Sequence, residues 1–330
     1  MFKNMNFKIS KIFMIILEKV FPSHYLSMVS RLRKSDDINT KPDIIDFKEK
    51  VAIVMQGPIV TKDNFTYETL KIYRKRFPKI SLILSTWNEY SEDELNKFKA
   101  INVEIIRNTK PDYAGISNIN FQIESTKNGI FKAKELGFKY CLKTRTDQRI
   151  YRHDFILFFL SLLDIFKIEN KNLRKRLIIA SLNTYKYRLY GVSDMLMFGH
   201  IDDMFKYWNV SFDKRVLKDV EMGVSALEYS KACICEVYLC TEFLKKINHC
   251  ASFTLKDYWS VLANYFCVVD SKSIDLFWFK YARWNEDRRY QNMKRKLDEE
   301  FYFSDWINST NKLRNYSKSQ ENLMKKKNMM

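Results

Sequence analysis

Lys143-Thr144-Arg145-Thr146-Asp147-Gln148-Arg149 gathers three cations and one carboxylate at the end of an apolar run. A transferase that breaks a sugar-phosphate bond must neutralise the charge developing on the departing phosphate. It does so with a carboxylate-held divalent ion, with cationic side chains, or with both. Asp147 is the candidate oxygen ligand for such a metal, and Lys143 and Arg145 are the candidate direct cations. The competing reading is a surface ion-pair cluster at a strand end.

Two further carboxylates stand beside apolar stretches. Asp194 precedes Met195-Leu196-Met197-Phe198-Gly199, and Glu236 lies in Cys235-Glu236-Val237-Tyr238, early in an apolar helical segment. Apolar surroundings raise a carboxyl pKa, which suits a base that takes a proton from an acceptor hydroxyl. A helix cap or an Arg partner is the alternative for each. Upstream, Gln56-Gly57-Pro58 and Thr86-Trp87 each close a β-type run, and Asn118, Gln122, Ser125 and Gly129 form a polar strip along one helix. Gly costs about 1 kcal/mol relative to Ala inside a helix, so Gly129 implies a close approach there, unless the strip faces solvent. Trp87 suits stacking on a base or sugar, or plain burial.

These residues must be positioned by larger elements. β-type runs at 51–55, 80–85, 103–106 and 139–144 alternate with helical patterns at about 63–77, 92–99 and 117–136. That alternation is the mark of right-handed βαβ units around a parallel sheet, whose ligands sit beyond the carboxyl ends of the strands. Turns 56–58, 86–88, 108–115 and 144–149 should therefore meet at one edge. The later half reads as a helix at about 154–166, strands at 177–181 and 195–199, and a helix at about 201–208. A helical pattern at about 223–247, a strand at 265–269 and a charged stretch follow, polar from about 312. No repeat, Walker loop or dinucleotide glycine fingerprint occurs, so ATP hydrolysis and hydride transfer lose their simplest support.

The chain has 330 residues, 46% hydrophobic and 15% aromatic, enough for a large core in one α/β domain or two small ones. Its net charge of +18 attracts polyanions in a salt-dependent way. Part of the Lys excess goes with a Lys-, Asn- and Ile-rich composition, and it suits solvation as well as recognition. The basic residues are spread along the chain without a nucleic-acid motif, which argues against nucleic acid as the partner. Six Cys without a secretory signal read as reduced thiols of a cytoplasmic protein. Cys233, Cys235, Cys240, His249 and Cys250 match no zinc spacing and read as small buried hydrophobes.

The first segment sets Ile9, Ile12, Phe13, Ile16, Leu17 and Val20 on one helical face and Lys8, Lys11, Glu18 and Lys19 on the other, with Arg31, Arg33 and Lys34 following. Its apolar run is far short of the roughly 20 residues a membrane span needs. It suits either a helix lying on an anionic membrane surface or one docked on the core. The expected divisions are an amphipathic basic segment and linker at 1–50, one domain at 51–310 and a polar basic tail at 311–330. Within the domain, the nucleotide-sugar half is at about 51–150 and the acceptor half at about 151–310.

Together, Gln56-Gly57-Pro58-Ile59, Leu84-Ser85-Thr86-Trp87, the Asn118–Gly129 strip, Lys143-Thr144-Arg145-Thr146-Asp147, and Ser193-Asp194-Met195 with Gly199 resemble the WavE family of lipopolysaccharide-synthesis proteins. The similarity runs from about 51 to 290, where Lys280-Tyr281 and Arg288-Arg289-Tyr290 look like the family's end. The resemblance implies a GT-A-like glycosyltransferase: an α/β fold with a mostly parallel, Rossmann-like sheet flanked by helices, acting in lipopolysaccharide core assembly. It implies a nucleotide-sugar donor bound by Gln56, Gly57, Pro58, Thr86, Trp87, Asn118, Gln122, Lys143 and Arg145. It also makes Asp147 the counterpart of an Asp-x-Asp motif on Mg²⁺ or Mn²⁺, with Asp194 or Glu236 as base. Arg145 stands where a first Asp is expected, which leaves open a cation-only site, as for a CMP-linked sugar. The acceptor would be a lipid-linked or phosphorylated glycan at the cytoplasmic face of the inner membrane. The rival reading is a non-catalytic, basic, membrane-peripheral scaffold, which would not need Asp147.

Overall fold

A computed structural model of the chain describes residues 12–13, 15–20, 22, 31–37, 49–215, 225–233, 235–280, 299–310, 322 and 325. Nine strands lie in these residues. They are β1 (Val51–Gln56), β2 (Ser81–Trp87), β3 (Val103–Asn108), β4 (Tyr140–Arg145), β5 (Gln148–Ile150), β6 (Leu177–Ala180), β7 (Met197–His200), β8 (Phe266–Val269) and β9 (Leu276–Trp278). Seven form one sheet in the order β3-β2-β1-β4-β7-β6-β8, and β5 pairs with β9 in a small antiparallel ribbon.

β1 lies inside the sheet with all six residues buried, which is why it reads as an almost unbroken apolar run. It pairs in parallel with β2 on one side and β4 on the other. The expected α/β class, a mostly parallel Rossmann-like sheet flanked by helices, is the fold of this chain. β7 departs from it, because it runs antiparallel to both β4 and β6. The residues leading into a reversed strand arrive at the same sheet edge as the residues leaving its parallel neighbours. Met197 faces Lys143 near the exit of β4, so the approach to β7 ends beside the β4 tip.

The helix Ile119–Glu135 packs on β1, β2 and β3. Gly129 explains how closely: a Cβ built there would lie 2.5 Å from Val54 Cγ1 and 3.2 Å from Ser85 Cβ. What approaches this helix at Gly129 is therefore the sheet, not a ligand.

Several sequence expectations need revision. The 223–247 pattern is two helices, Ala226–Lys231 and Glu236–Lys246, with Cys233 and Cys235 at positive φ between them; position 223 itself lies outside the described residues. Helices Leu255–Tyr265 and Phe303–Thr310 were not foreseen. The latter buries Trp306, whose indole N–H donates to the Leu262 and Phe266 carbonyls.

Ahead of the domain, residues 12–13 and 15–20 are helical, with Ile12, Phe13, Ile16 and Val20 exposed; Lys8, Ile9 and Lys11 lie outside the described residues, as does Pro42. Residues 31–37 are tied to the domain. Arg31 pairs with Asp275 at 2.6 Å, and buried Arg149 donates to the carbonyls of Leu32 and Arg33. Among the described residues, no helix is long and apolar enough to cross a membrane.

Candidate functional site

At the carboxyl edge of the parallel strands lies a cavity of about 580 Å³, within the usual range for small-molecule sites. Of the sequence candidates it is lined by Gln56, Gly57, Pro58, Trp87, Asn118, Gln122, Arg145, Asp147, Asp194 and Glu236. Turns from β1, β2, β3 and β4 do converge there, the third through Lys110, joined by the approach to β7 and the start of the helix Glu236–Lys246.

Its floor is tied together by polar side chains at the strand tips. Ser125 donates to the Gln56 side-chain oxygen at 2.8 Å, Ser85 donates to the Ser125 carbonyl at 2.6 Å, and Asn108 donates to Ser85 at 2.9 Å. These bonds satisfy groups that burial would otherwise penalise and hold the helix Ile119–Glu135 in register with the sheet. Gly57 has φ +120, and a Cβ there would meet Thr146 Oγ1 at 3.0 Å, so this turn demands glycine. Ser117, Asn118, Asn183 and Cys235 also line the cavity at positive φ. For Ser117 and Cys235, which lack the tolerance of Asn, such a conformation costs on the order of 1–3 kcal/mol and persists where the surroundings over-determine it.

The cation-rich segment after β4 divides in three. Arg145 faces the cavity. Lys143 is fully buried, donates to the Asp194 carbonyl and lies 4.6 Å from the Trp208 ring centre; burial pushes its ammonium down to about 7. Arg149 binds Thr69 and the carbonyls noted above, on the far side. The expected phosphate contact by Lys143 is thus corrected to an internal prop beneath Asp194. Thr86 is also fully buried and outside the lining. Trp87 is 3% exposed and packs edge-on to Phe121, so only a rim of it meets the cavity.

Asp147 is held firmly. Arg145 donates to both of its oxygens, Nε to Oδ1 at 2.8 Å and an Nη to Oδ2 at 2.9 Å, and Trp278 Nε1 donates to Oδ2 at 2.9 Å. Burial opposes its charge, but the guanidinium and the indole N–H prevail and hold the carboxyl below its ordinary value. Trp278 comes from β9, which the β5 pairing sets directly opposite Gln148. Glu236 is in the contrary situation. Burial first, then the neighbouring Asp194, push it from an ordinary 4.5 to about 7, with Arg188 pulling the other way.

The donor set does not fit the divalent ion expected on Asp147. Both of its oxygens already accept from cationic or N–H donors, and among the described residues no group of three or more His, Cys, Asp or Glu is placed to hold a metal. Of the thiols read as small buried hydrophobes, Cys235 and Cys240 are buried, whereas Cys233 is half-buried and Cys250 is exposed.

Trp278, Asn183 and Ser117 line the cavity without a sequence pattern that marks them, and Lys280 stands out in the sequence only for its likeness to the family's end. Lys110 lay in a flagged turn without being singled out. Trp278 gave no signal, because a three-residue strand has no readable period.

A family model described as WavE lipopolysaccharide synthesis matches residues 51–329. The chain belongs to that WavE family. Its match runs through Tyr281, Arg288, Arg289 and Tyr290, which lie outside the described residues. No curated protein matches significantly. Among solved structures, a cytidylyltransferase from Leptospira borgpetersenii serovar Hardjo-bovis is similar at 11% identity and a TM-score of 0.31, over 50% of this chain and 66% of that one. HddC from Yersinia pseudotuberculosis is similar at 14% identity and a TM-score of 0.31, over 52% of this chain and 87% of that one. A 4-diphosphocytidyl-2C-methyl-D-erythritol synthase is similar at 11% identity and a TM-score of 0.33, over 51% and 82% respectively.

Proposed function

We propose that this WavE protein is a GT-A-type glycosyltransferase that moves a sugar from a nucleotide-sugar donor to a lipopolysaccharide or lipooligosaccharide core, or to a related surface glycan. One observation carries the reading: a single cavity at the strand tips holds one carboxylate kept ionised and another kept ready to take up a proton. Environments that push two titratable groups apart in this way mark a division of labour in acid-base sites.

Gln56, Gly57, Pro58, the Trp87 rim, Asn118 and Gln122 receive the nucleoside. Arg145, fixed by Asp147, meets the phosphate. Glu236, as carboxylate, removes the proton from the acceptor hydroxyl while that oxygen forms its bond to the anomeric carbon. The bond from that carbon to the phosphate oxygen breaks, and its electron pair leaves on the nucleoside phosphate beside Arg145. Asp194, propped by Lys143, raises the proton affinity of Glu236 by like-charge repulsion.

The test is transfer from UDP-, GDP- and CMP-sugars to purified core oligosaccharide, with thermal shift as a parallel readout. Stabilisation by one donor together with product formation supports the proposal; no stabilisation by any donor favours the scaffold. The exposed Ile12, Phe13, Ile16 and Val20 favour contact with the cytoplasmic face of the inner membrane. Deleting residues 1–30, which spares the Arg31–Asp275 pair and the Leu32 and Arg33 carbonyls, should then abolish co-sedimentation with anionic vesicles, and unchanged binding would remove that contact.

A further inference from the structure

We infer that the donor's phosphate is neutralised by side-chain cations without a divalent ion, and that the Arg145–Asp147 pair is the fixed element of this anion site. The inference rests on the reading of the cavity as a nucleotide-sugar site and adds how its phosphate is held.

The geometry assigns Asp147 a different partner from a metal. A carboxylate that receives two N–H bonds from one guanidinium and a third from an indole has its best lone-pair directions filled, and 14% of its side chain remains accessible. A planar guanidinium gripped along one edge is fixed in orientation at the cavity wall, and the fork geometry of Arg suits phosphate oxygens. The Trp278 ring, 5.7 Å from the Arg145 guanidinium carbon, backs it from the ribbon side. Two more cations, Lys110 and Lys280, line the same cavity. Lys110 is held at the rim by Glu89 at 2.6 Å and lies 5.8 Å from the Trp87 ring centre. A departing phosphate thus meets one preorganised guanidinium and two ammonium groups. The carboxylate that a metal would require serves instead to aim the guanidinium.

Isothermal titration of the full chain with CMP, UDP and GDP, each in EDTA and again in Mn²⁺, decides the matter. One nucleotide should bind with a dissociation constant unchanged within about twofold between the two conditions. Arg145→Gln should weaken that binding about 10- to 100-fold, as loss of a charge-assisted bond does. Arg145→Lys, which keeps the charge, should recover part of it. Asp147→Asn leaves a neutral acceptor for Arg145 and should weaken binding by less than about tenfold, in EDTA and Mn²⁺ alike. Binding that needs Mn²⁺, with Asp147→Asn removing only the Mn²⁺-dependent part, overturns the inference while leaving the glycosyltransferase reading intact. If no nucleotide binds under either condition, the donor reading falls and the inference falls with it.

Discussion

On the wall built by β4 and the β5–β9 ribbon, Asp147 accepts three hydrogen bonds and is held in its ionised form; on the wall built by the approach to β7 and the helix Glu236–Lys246, Glu236 is desolvated beside another carboxylate. The first wall stands on parallel strands and their turns, where backbone position follows from regular pairing. The second stands on irregular chain that enters a reversed strand and on a helix start at strained backbone. The same residue type is thus tuned in opposite directions by what surrounds it, and rigidity of placement goes with the ionised member.

Substitutions should separate the two walls. The largest expected effect is on Glu236→Gln, which should lower kcat by about 10³-fold, in the range of lost general-base catalysis, with donor binding unchanged. Asp147→Asn should move donor binding instead. Equal effects of the two on kcat alone would dissolve the contrast.

Next comes pH. Glu236 keeps its proton up to about 7 in the folded chain but only to about 4.5 when unfolded, so the folded state binds more protons between those values. Stability contributed by the protonated carboxyl is therefore present below about 4.5 and lost as pH rises through 7. Glu236→Gln should accordingly be more stable than the wild type at pH 8, by an amount on the order of 3 kcal/mol, and show no gain at pH 4. Urea midpoints at the two pH values measure this. Activity should rise through pH 7 as the base form appears.

Gly129→Ala presses the helix Ile119–Glu135 off Val54 and should cost about 1–3 kcal/mol in chemical denaturation, disturbing the Asn118 and Gln122 side and sparing Glu236. Smallest is Trp278→Phe, which removes one of three bonds to Asp147. It should cost about 1 kcal/mol and raise the Asp147 pKa, followed by carboxyl NMR titration.

The first half was legible because each parallel strand is a short apolar run closed by a turn residue, and the edge where ligands gather follows from the direction of the strands. Gln56, Trp87 and Asp147 thus fall at one sheet edge from the sequence pattern alone. Lys143 misled, because a charged residue next to a strand end reads as exposed, whereas the Asp194 carbonyl and the face of Trp208 take it in. The reversal of β7 left no trace either, since pairing direction is decided by neighbours distant in sequence. Nor did Trp278, which reaches the site through a ribbon of three-residue strands.

The residues held at positive φ around the cavity carry an implication for durability. Ser117 and Cys235 keep a twist that glycine would adopt freely, so Ser117→Gly is an inexpensive route to a more heat-resistant protein. A Ser117→Gly variant that melts later but loses donor binding would show that the strained backbone serves the cavity.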